Sequence, residues 1–339
     1  MTNVLVTGGC GFIGSNFIRL ALKKHGDWSI TNLDKLTYAG NPENLRDVEK
    51  QFRGRLKFVK GDVCDGKKVG ALLKYSDLVF HFAAESHVDV SIKNPFVFTK
   101  SNVLGTHTML ESTRIENQKR KKAGKNEIKF MHISTDEVYG IIRKGSFTEE
   151  SSFRPNSPYS ASKAAADLLA RSYHATYRLP VIIARSSNNF GSYQYPEKVM
   201  PLFITNLIEG RKVPVYGRGL NVRDWIYVKD NCEALDFLSE KGASGEAYNI
   251  GGGNEKPNLE LTRILLREMG KDESSIEFVP DRLGHDFRYS LDCSKIRALG
   301  WKPRFDFKSA IRETVEWYKG NEVWWKPLKE RLRKKGQIK

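Results

Sequence analysis

A hydroxyl followed by two adjacent carboxylates, Thr135-Asp136-Glu137, closes an apolar segment that runs through Ile128, Phe130 and Ile133. The segment reads as a buried strand with a polar tip, and in open parallel sheets catalytic groups sit just past the carboxyl ends of strands. Two carboxylates in different surroundings can divide one reaction. One removes a proton from carbon while the other, kept protonated, delivers a proton to a departing hydroxyl. Acidic residues behind a strand also serve as ordinary helix caps, so the pair takes its meaning from what lies around it.

A second pair follows in Ser157-Pro158-Tyr159-Ser160-Ala161-Ser162-Lys163. Ser157 suits an N-cap and Pro158 the first helical position. Tyr159 and Lys163 are then one turn apart on one helix face. An ammonium beside a phenol favours the phenolate, so the spacing predicts a tyrosine base of lowered pKa.

The elements that must position these groups begin at the amino terminus. Val4–Thr7 reads as a strand, Gly8-x-x-Gly11-x-x-Gly14 as a tight turn, and Phe17, Ile18, Leu20, Ala21 and Leu22 as a helix. Glycines there let the backbone approach a pyrophosphate, whose charge the helix N-terminus attracts. A second strand, Ile30–Leu33, ends at Asp34, where a carboxylate binds ribose hydroxyls and repels a 2′-phosphate. NAD is therefore expected over NADP, although Lys35 works against that preference.

Arg55–Lys60 predicts a third strand leading to Gly61-Asp62-Val63, with Asp62 at the adenine end. A fourth, Leu78–Phe82, enters Ala83-Ala84-Glu85-Ser86-His87, small residues beside a passing cofactor. His87 is either a substrate contact or a core histidine. A helix over 95–111 leads to a basic surface loop at 118–127. Strands at 180–184 and near 248–252 complete the pattern, and alternating strands and helices imply a parallel sheet.

Composition narrows the field. The chain has 339 residues and a formal net charge of +16, from 56 Lys and Arg against 40 Asp and Glu. Lys119-Arg120-Lys121-Lys122 and Arg331-Leu332-Arg333-Lys334-Lys335 carry much of the excess. Neither is interleaved with aromatics, so both read as solvated surface and no nucleic-acid partner is expected. No run approaches the roughly 20 apolar residues of a membrane span. The first residues enter a strand directly, so no signal peptide is expected. Four scattered cysteines, Cys10, Cys64, Cys232 and Cys293, lack metal-type spacing. That implies reduced thiols in a cytoplasm and no metal site.

Taken together, the glycine turn, Tyr159-x-x-x-Lys163, Thr135-Asp136-Glu137, the His81–Asp89 stretch and Asp281-Arg282-x-Gly-His285-Asp286-x-Arg288-Tyr289 carry a family resemblance. The chain resembles the extended short-chain dehydrogenase/reductases acting on nucleotide sugars, and among them the dTDP-glucose 4,6-dehydratases. The likeness runs from the first strand to about Tyr318. It implies an α/β fold, a Rossmann-type doubly wound parallel sheet with a smaller C-terminal substrate-binding domain. The NAD-binding domain would cover 1–185, with strands returning to it from about 220–252. Residues 186–330 would mainly bind substrate, and 331–339 would form a basic tail.

By resemblance, Thr135, Asp136, Glu137, Tyr159 and Lys163 are catalytic. The cofactor would meet Gly8, Gly11, Phe12, Ile13, Gly14, Asp34, Lys35, Leu36, Thr37, Gly40, Asp62, Val63, Phe82, Ala83, Ala84, Ser86, Ser101, Tyr159, Lys163 and Asn189. The substrate, dTDP-glucose, would meet His87, Thr135, Asn188, Lys198, Val199, Pro201, Tyr216, Arg223, Asn258, Asp281, Arg282, His285 and Tyr289. Arg223 would grip the diphosphate in a bidentate way. A homodimer through helices 95–111 and 159–177 is also implied. Val90, Ser192 and Cys10 depart from the family's usual arginine, proline and alanine, and bear on pocket detail only. UDP-glucose dehydration, or a non-catalytic nucleotide-sugar or NAD-binding module, are the rival readings.

Overall fold

The computed structural model describes residues 1–281 and 285–338. Its strands in chain order are β1 Thr2–Thr7, β2 Trp28–Asp34, β3 Leu56–Lys60, β4 Leu78–His81, β5 Lys129–Thr135 and β6 Val181–Ser186. They continue with β7 Asn188–Phe190, β8 Val213–Tyr216, β9 Val222–Tyr227, β10 Ala247–Ile250, β11 Glu255–Pro257 and β12 Ile276–Val279. Seven form one parallel sheet in the order β10-β6-β5-β4-β1-β2-β3.

Side chains alternate across a strand, and β1 shows the consequence. Val4 and Val6 enter one hydrophobic cluster with Phe17, Ile18, Phe80 and Leu235. Leu5 enters the other, with Val69, Val79, Leu110, Phe130 and Ala170. Helices Phe12–Lys24 and Val228–Lys241 cover the first face, and Gly66–Leu73, Gly105–Lys122 and Pro158–Tyr177 the second. A parallel sheet buried on both faces needs such apolar strands. Chain order reverses at β1, which lies between β4 and β2, so the turn after β1 opens at the switch point where doubly wound sheets bind ligands.

Two small sheets sit on the carboxyl side, β11-β9-β7 and β12-β8. The last helix, Glu322–Lys334, returns across the molecule. Its Leu328 and Leu332 pack with Tyr195, Tyr38 and Ala39.

Two expectations about basic segments need correction. Lys119–Lys122 form the last turn of the helix Gly105–Lys122 rather than a loop. Cations are favourable at a helix C-terminus, and Arg120 is buried, donating to the carbonyls of Leu73 and Lys74 at 3.2 and 3.3 Å. Arg331–Lys334 likewise continue a helix in which Leu332 is buried and Arg333 pairs with Glu209. The helix expected over 95–111 runs on to 122 and includes a π segment at Thr99–Leu104. Among the described residues no helix is long and apolar enough to cross a membrane.

Candidate active site

The glycine turn is built for close approach. Gly8 has φ +71°, and a Cβ there would lie 2.7 Å from the Ala83 nitrogen. A Cβ on Gly14 would lie 2.5 Å from the Gly8 carbonyl oxygen. Gly11 caps the helix Phe12–Lys24 with no side-chain acceptor, so its first-turn amides stay available to an anion. At the end of β2 the buried Asp34 accepts the Cys10 N–H at 2.9 Å and the Leu36 N–H at 2.8 Å. Burial raises its pKa, and the two amides pull it back. Lys35 pairs with Asp62 at 2.8 Å.

The cleft above this turn is lined by Gly8, Gly11, Phe12, Ile13, Gly14, Asp34, Lys35, Thr37, Gly40, Asp62, Val63, Phe82, Ala83, Ala84, Ser86, Ser101, Tyr159 and Lys163. Leu36 and Asn189 do not line it. Leu36 adopts φ +59° and packs on the core, while the Asn189 amide donates to the Ser187 carbonyl at 3.0 Å. Tyr38, Ala39, Glu85, Gln194, Tyr195 and Glu197 line the cleft without having been anticipated. Gly40 and Thr37 bracket Tyr38 and Ala39, a local clue. Gln194, Tyr195 and Glu197 arrive from another part of the chain. Glu197 is buried, its carboxyl pushed up to about 7 by desolvation and held partly down by Lys198. Its Oε2 lies 3.3 Å from His87 Nε2.

Small residues of the Ala83–Ser86 segment are held by Asn102, on the π segment. Its side chain bonds Glu85 N at 2.8 Å, Glu85 O at 3.0 Å and Ser162 Oγ at 2.8 Å. Such π bulges recur at functional sites.

At the tip of β5, Asp136–Tyr139 form a single 3₁₀ turn. Thr135 caps it, accepting the Glu137 N–H at 3.3 Å and donating to Asp136 Oδ1 at 3.1 Å. Asp136 is 2% exposed, and its Oδ2 has no partner among the described residues. Burial first, and the charge of Glu137 second, push its carboxyl up to about 8, against the lowering effect of the Thr135 hydroxyl and Arg223. Burial and the Glu137 charge both favour the protonated form of Asp136. Glu137 is felt also by Tyr159 and Tyr289, so the turn, the helix Pro158–Tyr177 and the segment around Tyr289 converge here.

The helix Pro158–Tyr177 begins with the expected cap. Ser157 Oγ accepts the Ser160 N–H at 3.1 Å, and Ser160 Oγ accepts the Ser157 N–H at 3.0 Å. Tyr159 and Lys163 both face inward and are buried. The electrostatics differ from the expected phenolate. Tyr159 is raised by burial and by the charges of Glu137 and Asp136, with only the Thr135 hydroxyl pulling it down. Lys163 donates instead to the Ile133 carbonyl at 2.6 Å, and desolvation lowers it to about 8 while Asp167 raises it.

On the substrate side, Arg223 is 6% exposed. Its Nη1 and Nη2 donate to the carbonyls of Val222 and Asp286 at 2.7 and 2.8 Å, and it lies 4.3 Å over the Tyr289 ring. Tyr289 donates to Asp286. Lys198 lines the cleft and donates to the Ser86 carbonyl at 2.8 Å. Asn188 Oδ1 is buried and accepts nothing among the described residues. Val199 and Pro201 open the helix Val199–Ile208, and Asn258 opens Asn258–Glu268. Tyr216 packs edge-on to His285, which bonds Asp281 at 2.6 Å. Arg282 lies outside the described residues.

The comparisons agree with this geometry. The sequence model of the GDP-mannose 4,6 dehydratase family matches residues 5–314. The chain is 48% identical over 331 residues to a dTDP-glucose 4,6-dehydratase of Streptomyces niveus, covering 96% of this chain and 95% of that protein. It superposes with a TM-score of 0.90 and 49% identity on DesIV, the dTDP-glucose 4,6-dehydratase of Streptomyces venezuelae solved with NAD and TYD bound, covering 96% and 100%. The enzyme of that name from Bacillus anthracis, solved with NAD, gives 0.87 and 45%, covering 97% and 100%. With a match that extends over nearly its whole length, the chain belongs to the dTDP-glucose 4,6-dehydratase family.

Proposed function

We infer that this chain dehydrates dTDP-glucose to dTDP-4-keto-6-deoxyglucose. The observation that carries this reading is Asp136, a buried carboxyl next to Glu137 at the tip of β5, whose burial favours its protonated form and whose charge acts on Tyr159. NAD, when bound along the cleft, supplies the hydride acceptor for C4 and the donor for C6, and ends as it began. Tyr159, assisted by Lys163, takes the proton of the sugar 4-hydroxyl. The resulting 4-ketone acidifies the C5 hydrogen, which Glu137 removes. Asp136 gives its proton to the departing C6 hydroxyl, and water leaves. Thr135 orients the 4-oxygen. Glu137 then returns its proton to C5 as hydride is delivered to C6, and the proton that Tyr159 took from the 4-hydroxyl offsets the one Asp136 gave to the water.

Residues 1–185, with the returning strands, form the cofactor-binding part in this reading, and 186–330 mainly the substrate-binding part. Asn188, Lys198, Arg223 and Tyr289 would hold the nucleotide sugar together with the remaining residues named above. Exposed Phe96, Leu104, Ile115, Leu168 and Tyr177 lie on the paired helical segments 95–122 and 158–177. These exposed apolar side chains support a two-fold dimer through the paired segments. Four free thiols fit a cytoplasmic setting, and the product suits deoxysugar synthesis of the rhamnose type. Incubation with dTDP-glucose and with UDP-glucose, followed by detection of the 4-keto sugar, tests the assignment. One methyl separates thymine from uracil and gives ~1–3 kcal/mol of discrimination, so a modest dTDP preference is expected. No keto product from either sugar overturns the reading.

A further inference from the structure

We propose that Arg185 is a positioning residue for the elimination step, acting through Tyr139 without touching substrate or cofactor. The inference rests on the reaction proposed above. Arg185 stands on β6 opposite Ser134, two residues before the turn Asp136–Tyr139. Its Nε and Nη2 form a fork with Asp167 Oδ2 and Oδ1 at 2.9 and 3.0 Å. Its Nη1 donates to the Tyr139 hydroxyl at 2.7 Å and to the Glu149 carbonyl at 2.9 Å. Arg185 is 4% exposed and Asp167 fully buried, and none of Arg185, Asp167 and Tyr139 lines the cofactor cleft.

The two ends of this bridge give it meaning. Asp167 is one helical turn beyond Lys163, which is one turn beyond Tyr159, all on one buried face. Tyr139 is the last residue of the turn that begins with Asp136. A single guanidinium therefore joins the helix of the hydride-transfer dyad to the turn of the two carboxylates. The Tyr139 hydroxyl passes the link on to Asn249 Oδ1 at 2.8 Å, and Asn249 donates to the carbonyls of Phe147 and Asp292. Thr135 holds the near end of the turn, through Asp136 Oδ1 and the Glu137 N–H, and Tyr139 anchors its far end. An ion pair removed from water contributes little net stability, because desolvation offsets the attraction. Fixing one geometry is what such a pair does well.

The test uses Tyr139→Phe and Arg185→Lys in the full chain. Tyr139→Phe deletes one hydroxyl while keeping the ring against Phe147 and Phe153, at 5.0 and 5.6 Å, and leaving the Asp167 fork whole. On mixing with dTDP-glucose, reduced nicotinamide should form at close to the unaltered rate. Product formation should fall about tenfold, short of the ~100-fold that a 1 Å misplacement of a reacting group costs. Reduced cofactor should then accumulate with KM unchanged. Arg185→Lys should act in the same direction and more strongly; if it does not fold, Tyr139→Phe decides alone. Unaltered rates of both steps in Tyr139→Phe overturn the proposal. So does a loss of both steps in proportion to folded protein. Absence of keto product from the unaltered chain overturns the reaction assignment itself.

Discussion

The Lys163 ammonium lies 2.6 Å from the carbonyl oxygen of Ile133. The bond crosses from the helix Pro158–Tyr177 to the strand that ends in Thr135, two residues on. It fixes the register between the group that would assist C4 oxidation and the carboxylates that would eliminate water. It also occupies one donor of a lysine that desolvation has already brought down to about 8.

Two groups near pH 8 divide the alkaline limb of activity. Asp136 must be protonated to act as an acid, so product formation should decline as pH rises through about 8. Lys163 loses its charge over the same range and should slow formation of reduced nicotinamide. Asp136→Asn should lower dehydration ~100- to 10,000-fold while reduced cofactor still forms, its pH dependence now belonging to Lys163. Stopped-flow absorbance beside product assay checks this, and an unaltered rate of dehydration in the variant removes Asp136 from the mechanism.

Stability should follow the same carboxyl with a defined sign. The folded-state pKa of Asp136, about 8, lies above the ~3.9 of an unfolded chain. The folded protein thus binds the extra proton, and the contribution present at pH 4 is lost as pH rises through 8. Asp136→Asn should melt higher than the unaltered protein by a margin that widens from pH 5 to pH 8. A margin constant with pH would contradict the assigned protonation.

Tyr159→Phe should stop the sequence before any reduced nicotinamide appears, since the 4-hydroxyl keeps its proton. Glu137→Gln should let the first step pass and stall the second. If the two variants stall at the same point, the division of labour between helix and turn is wrong.

Asp34→Ala should lower the preference for NAD over NADP by about tenfold, equivalent to ~1.4 kcal/mol. Titration of both cofactors by fluorescence reads it. The Cys10 and Leu36 amides lose their shared acceptor in the variant, so a lower melting temperature should accompany the change. Equal binding of NADP and NAD by the unaltered chain would refute the role of Asp34.

Gly140→Ala should destabilise the fold by ~1–3 kcal/mol or more. Gly140 follows the turn Asp136–Tyr139 at φ +82°, and a Cβ would lie 2.1 Å from the Arg154 carbonyl oxygen. Thermal melting measures the loss, and a melting temperature equal to that of the unaltered protein would show that the turn is not constrained there.

Much of the site was legible because its signals are local. The Ser157 cap, the Pro158 start and the four-residue step from Tyr159 to Lys163 act within a single helix turn. The strand, glycine turn and helix at Thr2–Lys24 are equally short-range, as is the end of β2 at Asp34. The helical ending at Lys119–Lys122 was misjudged, because charge alone suggested a loop. What draws Arg120 in is the pair of carbonyls at Leu73 and Lys74, on another segment of the chain.

By itself the sequence determined the element types, the glycine cradle and the residues at the strand tip, since backbone periodicity and capping are decided by neighbours a few positions away. Only the tertiary structure set β1 between β4 and β2 and brought Tyr195 and Glu197 to the cleft. It also directed Lys163 to Ile133 rather than to the Tyr159 phenol, and closed Asp136 off from water so that it keeps its proton. Protonation depends on burial and on charges from distant segments, and those distances exist only once the chain has folded.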